Sequence, residues 1–300
     1  MLLLVDYSSL LYRAFFSMPE HLPAHAVHGF LNMLAPLLGD RRPQRLAIAV
    51  DEDWRPAFRV EAIPSYKAHR VAGHEAGHEA RDEAGDADGG EEEDLIGPQE
   101  ALGRELLAAM GFAVVGADGF EADDVIATLV ATSPGPIEIV SGDRDLFALV
   151  RDPDVRVLYP RRGTTDLALV DEAEVTRRYD IPGRAYQDFA LLRGDSSDGL
   201  PGARGIGEKT AAKLMREYGS LDAVLRSTEL PAAIARKIDA SREYLEAARR
   251  VIPPVGDIPL TPPDLSLPRP TRQAARASQL AAEHDLTHAI ERVQAALRRS

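Results

Sequence analysis

Asp118-Gly-Phe-Glu-Ala-Asp-Asp-Val-Ile-Ala-Thr-Leu129, followed by Ile139-Val-Ser-Gly-Asp-Arg-Asp145, is the stretch whose reading decides the fold. The first part sets Glu121, Asp123 and Asp124 at a helix start; the second sets Asp143 and Asp145 just past a short apolar strand. In an open α/β sheet, strand carboxyl ends and helix starts converge on one rim. Carboxylates crowded there repel, each pair at about 4 Å costing roughly 4 kcal/mol at an effective dielectric near 20. Such a group is tolerated when protonated, solvated or holding a divalent cation.

Working outward, the same pattern recurs. Leu2–Val5 is an apolar run ending in Asp6, and Arg45–Val50 is another ending in Asp51. Ser8-Ser9 signals a helix start before Leu10–Phe16, and Val27, Phe30, Leu31, Leu34 and Leu38 carry helical spacing. Leu95–Met110 and Glu121–Ala131 read as helices, with strands at Phe112–Val115 and Ile137–Val140. Val155–Leu158 and Leu167–Val170 read as a strand pair. Strand–helix alternation over 1–170 predicts an α/β fold with a mostly parallel central sheet flanked by helices. From Asp171 a helical lobe follows, then a Pro-rich extended linker over 253–270 and one amphipathic helix over about 271–298.

The 300 residues include no cysteine, which rules out disulfides and thiolate metal sites and suits a reducing cytoplasm. No apolar run reaches the roughly 20 residues of a membrane span, so a cytoplasmic protein is expected. The net charge of −13 argues against nucleic acid only superficially. Residues 74–94 hold ten acids against Arg81 alone, a local charge of −9 that leaves −4 elsewhere. Setting aside nine candidate metal ligands leaves +5 for the remainder. The tract's Glu, Ala, Gly, Asp and His composition predicts a mobile segment.

Those nine are Asp6, Asp51, Glu121, Asp123, Asp124, Asp143, Asp145, Asp195 and Asp198, the last two within Gly194-Asp-Ser-Ser-Asp-Gly-Leu-Pro-Gly202. Any one alone is more often a helix cap or a solvated loop residue. Nine at strand ends and tight turns, without His or Cys, suit Mg²⁺ or Mn²⁺. Two such ions about 3.5–4 Å apart can drive phosphodiester cleavage. Residues 202–219 form a Gly-rich hairpin opening a helix, with Gly205, Gly207, Lys209, Thr210 and Lys213 placed to hold a phosphate backbone. A nucleotide loop is excluded, because Glu208 intrudes between Gly207 and Lys209-Thr210. His74-Glu75-Ala76-Gly77-His78 matches the zinc-protease motif literally, but without the apolar helix face that such a site needs.

Together the motifs resemble the 5′-nuclease (flap endonuclease) family, stand-alone relatives of the nuclease domain of bacterial DNA polymerase I. The matching stretches are Leu3–Phe16, Val50-Asp51 with Phe58-Arg59, Tyr66-Lys-Ala-His-Arg70, Glu121–Val125, Ser141–Leu146, Gly194–Asp198 and Gly205–Ala211. The resemblance runs from residue 2 to about 250. It implies a PIN-like nuclease core over 1–180 with an arch segment near 71–94. A helix–three-turn–helix lobe over 181–252 and a C-terminal segment 253–300 packing back on the core would follow. The implied activity is 5′–3′ exonuclease and 5′-flap endonuclease cleavage of DNA in replication and repair, at 5′ ends, nicks and flaps, RNA primers included. The implied protein is a monomer associated with the nucleoid.

In that resemblance Asp6, Asp51, Glu121, Asp123 and Asp124 serve a first Mg²⁺ or Mn²⁺ directly or through water. Asp143, Asp145, Asp195 and Asp198 serve a second, Asp143 being shared. Lys67 and Arg70 match the pair that meets the scissile phosphate, and Tyr66 stacks on a base. The Gly205–Lys213 hairpin grips duplex DNA where relatives also bind K⁺. Two features depart from the family: Gly199 stands where Asn is usual, and the arch tract is acidic, which opposes passage of phosphate within a Debye length of about 8 Å. Two other readings use the same residues. A non-catalytic branched-DNA binder is disfavoured because Asp195 and Asp198 are both present, and a PIN-like ribonuclease because of the second lobe.

Overall fold

The computed structural model describes residues 1–19, 21–70, 90–162, 166–268 and 274–299. Six strands form one sheet: β1 (Leu2–Asp6), β2 (Arg45–Ala49), β3 (Val114–Val115), β4 (Ile137–Val140), β5 (Val155–Arg162) and β6 (Asp166–Val170). Their order is β3-β2-β1-β4-β5-β6, parallel throughout except for the β5–β6 pair. β1 is fully buried between β2 and β4, which is why it is written as an unbroken apolar run. Its side chains still alternate: Leu2 and Leu4 enter one core with Ala47 and Ile139, and Leu3 and Val5 the other with Leu46 and Ile48.

The second core is closed by α1 (Tyr7–Ser17), α2 (His25–Arg41) and α4 (Gly90–Ala109). Between β2 and α4 lies the short α3 (Ala57–Ala62). The first core is closed by α5 (Ala122–Thr132) and by the helical lobe. That lobe follows α6 (Glu172–Tyr179) and comprises α7 (Tyr186–Arg193), α8 (Glu208–Tyr218), α9 (Leu221–Arg226), α10 (Ala232–Ala240) and α11 (Arg242–Val251). Gly194 and Gly202 take positive φ and stand back to back, a Cβ on Gly202 falling 2.5 Å from Gly194 N. Only glycines allow that approach, and it folds the Asp195–Asp198 turn tightly against α7.

The Pro-rich segment is pinned as well as extended. Val255 N–H donates to Asp124, Thr128 Oγ1 to the Val255 carbonyl (3.0 Å), and Leu46 N–H to the Leu265 carbonyl (2.8 Å). The single C-terminal helix expected over 271–298 is two: α12 (Ala274–Glu283) and α13 (Thr287–Leu297). The break falls where Asp285 adopts φ +56° and Leu286 is driven fully into the core. Burying that side chain lets α13 lie along α2, and an unbroken helix would carry it past. The readings of a mobile acidic tract and of His74–His78 fall on residues outside those described, save that the backbone from Gly90 is helical.

Candidate metal centre and nucleic-acid interface

The strand order reverses at β1, with β2 on one side and β4 on the other, so a crevice opens at their carboxyl ends. Asp6 closes β1, Asp51 lies two residues past β2, and Asp143 three past β4. Asp6, Asp51, Glu121, Asp123 and Asp143 line one cleft of about 830 Å³ together with Lys67 and Arg70. Asp51 accepts the Ala122 N–H at 2.7 Å, joining the β2 end to the start of α5. Asp6 accepts from Ser9 N–H (3.2 Å) and Ser141 Oγ (2.5 Å). Asp143 accepts the Asp145 N–H at 2.7 Å.

Burial pushes the Asp6 carboxyl up to about 7, Ser141 opposing and Asp51 and Asp143 adding to the rise. Asp123 is carried well above the ordinary carboxylate range, first by burial and then by Asp143, Asp6 and Glu121. A cluster of oxygen donors that disfavour each other's charge is the setting in which a hard divalent cation fits. As the side chains stand, no three acids among the described residues converge into a ready cation cage. Oxygens of Asp6, Asp51 and Asp143 are held by the protein donors named above, and an ion bound there would compete with those hydrogen bonds.

The second acidic group lies close to the first, within electrostatic reach of Asp143. Asp145 and Asp195 line a small separate cavity together with Tyr186 and Leu200. Asp195 caps its own turn, accepting the Ser197 N–H at 2.8 Å, and Asp198 pairs with Arg70 at 2.7 Å. Burial and then Asp143, Asp198 and Asp195 hold the Asp145 carboxyl well above its usual range, so these four acids feel one another.

Asp124 and Tyr66, both expected at the site, are absent from the cleft lining. Asp124 does not face the cleft: successive helix positions differ by about 100°, so with Asp123 on the rim Asp124 turns into the core. It is fully buried, pairs with Arg59 Nη2 at 2.6 Å and accepts the Val255 and Glu121 N–H groups. Tyr66 is 4% exposed, with its hydroxyl donating to Glu121 at 2.8 Å.

Arg59, unassigned from the sequence, is the hub of this region. It is 2% exposed and contacts the Glu121 carboxylate, Asp124 and the Val251 carbonyl (2.8 Å). Its partners lie more than sixty residues away, beyond the reach of any local pattern; the Phe58-Arg59 motif was the one trace of it. Arg104 on α4 also lines the cleft and donates to the Asp51 carbonyl. Lys67 bonds Glu121 and the Trp54 carbonyl (3.2 Å). Burial works against the Lys67 charge, yet Glu121 and Asp198 together raise its pKa.

In the hairpin, Gly205 has φ +79° and Gly207 caps α8. Lys209 and Lys213 are exposed, Thr210 is half-buried, and Lys237 Nζ donates to the Gly205 carbonyl at 2.7 Å. The hairpin and the cleft are thus separate features, joined through the 194–202 turn.

Known proteins resemble both parts of the chain. The family described as "5'-3' exonuclease, N-terminal resolvase-like domain" matches residues 1–180, and "5'-3' exonuclease, C-terminal SAM fold" matches 181–273. A 5'-3' exonuclease of Streptomyces coelicolor is 43% identical over 97% of this chain and 98% of its own length. One from Mycobacterium tuberculosis is 42% identical over 99% and 97%. DNA polymerase I of that organism is 39% identical over 89% of this chain, which spans 28% of the polymerase. Among solved structures, T5 5'-exonuclease with bound divalent zinc superposes with TM-score 0.70 at 17% identity, covering 99% of this chain and 98% of its own. The bacteriophage T5 D15 flap endonuclease with DNA and metal ions gives 0.64 at 18%, covering 99% and 98%. These two share the fold. On the sequence matches, the chain belongs to the 5′-3′ exonuclease family.

Proposed function

We propose that the cleft is a two-metal phosphodiesterase centre that cuts DNA at 5′ ends, nicks and 5′ flaps, RNA primers included. The observation that carries this is the gathering of Asp6, Asp51, Glu121, Asp123 and Asp143 with Lys67 and Arg70 around one cleft, with Asp145, Asp195 and Asp198 within electrostatic reach of Asp143. Asp6, Asp51, Glu121 and Asp123 would hold one Mg²⁺ or Mn²⁺; Asp143, Asp145, Asp195 and Asp198 the other. Bound there, the ions supply an activated water and charge neutralisation at the phosphate.

The chain's own cations do the positioning. Lys67 and Arg70, now paired with Glu121 and Asp198, would turn to the non-bridging oxygens of the phosphate to be cut. Gly205, Gly207, Lys209, Thr210 and Lys213 would hold the duplex backbone some distance away, independent of sequence. K⁺ at that hairpin belongs to the same reading, supported by the Gly205 carbonyl, which already draws the Lys237 ammonium. A panel of 5′-labelled flap, nicked and single-stranded DNA, each titrated with Mg²⁺ and Mn²⁺, tests the proposal. Metal-dependent release of 5′ fragments from flap and nicked DNA is expected, and intact label under every divalent ion refutes it.

A further inference from the structure

Away from the cleft, a dent of about 530 Å³ opens between α2 and α13. Arg42 on its wall lies just before β2, at the amino end of the strand whose carboxyl end leads to Asp51. The lining joins the small apolar side chains of Ala35, Pro36 and Ala295 to three arginines, Arg42, Arg292 and Arg299, against one acid, Asp40. All three arginines are exposed, and none makes an ion pair among the described residues; Arg292 donates only to the uncharged Asn32. Elsewhere exposed arginines of this chain are matched with acids, as Arg177 is with Glu174, Arg184 with Glu172 and Arg249 with Asp222. In a chain of net charge −13, three unmatched arginines around one dent call for a physical reason. Cations are favoured at helix carboxyl ends, and Arg42 and Arg299 lie just beyond the ends of α2 and α13. Arg292 lies more than a turn inside α13, where the helix dipole offers it little. α13 also lies past residue 273, the last one covered by the matched family domains.

We infer that this dent is a docking site for an acidic peptide segment of another protein, an apolar side chain set among carboxylates. Guanidinium groups pair with carboxylates through two parallel hydrogen bonds, and three arginines against one aspartate leave the lining net positive. The volume suits a few peptide side chains. A nucleic-acid backbone would meet the arginines but leave the apolar part of the lining unused. The strands of the sheet separate the dent from the cleft, so a peptide held here leaves the cleft open to DNA.

Gly39 offers a way to block the dent, because a Cβ there meets nothing within 4 Å. Gly39→Glu puts a good helix former into α2 and sets a competing carboxylate among the arginines. A fluorescein-labelled Asp-Asp-Leu-Asp-Asp peptide should bind the full chain at low salt, read by anisotropy, and be released as salt is raised. Its affinity should fall roughly threefold to tenfold in Arg42→Ala and in Arg292→Ala. Binding should vanish in Gly39→Glu, and a peptide with serine in place of leucine should bind about tenfold more weakly. All three variants should melt as the wild type does and cut 5′-flap DNA at its rate. No binding of the peptide to the wild type, or equal binding to Gly39→Glu, overturns the proposal. So does a dT oligonucleotide that binds more tightly than the peptide and is lost in the same variants, which makes the dent a nucleic-acid site.

Discussion

The backbone N–H of Lys67 donates to the Asp198 carbonyl at 2.9 Å, across 131 residues of chain. Arg70 repeats the link, reaching the Ser197 carbonyl at 3.0 Å and the Asp198 carboxylate at 2.7 Å. The loop bearing both cations is thereby clasped to the turn bearing the second acidic group. One backbone hydrogen bond and the Arg70 side chain together fix the spacing of these two segments.

Gly199 makes the clasp possible. It has φ +66°, and a Cβ there would fall 2.1 Å from the Ser65 carbonyl oxygen. Asn, usual in the family, would therefore prise the loop from the turn. Gly199→Asn should cost about 1–3 kcal/mol of stability, read as a lower denaturation midpoint. It should also lower kcat more than it weakens duplex binding. Wild-type rates in that variant would show that the clasp does not set the site's geometry.

Asp123 and Asp124 should behave in opposite ways despite being neighbours. Asp123→Asn removes one charge from a repelling group, so thermal stability should hold or rise while cleavage is lost. Asp124→Ala leaves the buried Arg59 guanidinium short of a partner, which should destabilise the chain by about 3–5 kcal/mol. Thermal melts of the two variants decide this, and equal melting temperatures would contradict the assignment of Asp124 to the core.

On the proposed reading divalent ions bind the folded cleft and not the unfolded chain, so they should stabilise the fold. At about a hundred times the dissociation constant, Mn²⁺ should add roughly 2.7 kcal/mol, seen as a rise of several degrees in Tm. The rise should shrink in Asp123→Asn. A rise of the same size in that variant would place the ions elsewhere.

Lys209→Ala and Lys213→Ala should each weaken duplex binding uniformly across sequences. Each should also reduce the slope of log K against log[salt] by roughly one. Salt titrations of binding check this; an unchanged slope would remove that lysine from the backbone contact.

The sheet and its acidic rim were legible because a strand buried on both sides needs a continuous apolar run, and Asp6 and Asp51 end such runs. What could not be read was pairing at long range. Asp123 and Asp124 are the same residue type side by side, and only the position of Arg59 and Val255 tells rim from core. The resemblance sets Tyr66 against a base, whereas in the structure its hydroxyl satisfies a buried carboxylate that local sequence does not display. Likewise, the α12–α13 break follows from a left-handed Asp285, a conformation that helical periodicity does not mark.

On the proposed reading two neighbouring groups of acids, one lining the cleft and one around Asp145, form a single catalytic centre. Asp123→Asn and Asp195→Asn each alter one group, and cleavage of 5′-flap DNA in Mn²⁺ compares them most directly. Both variants should lose about a hundredfold or more in kcat while binding flap DNA within a few-fold of wild type. Near-normal cleavage by either variant would contradict a shared two-metal centre.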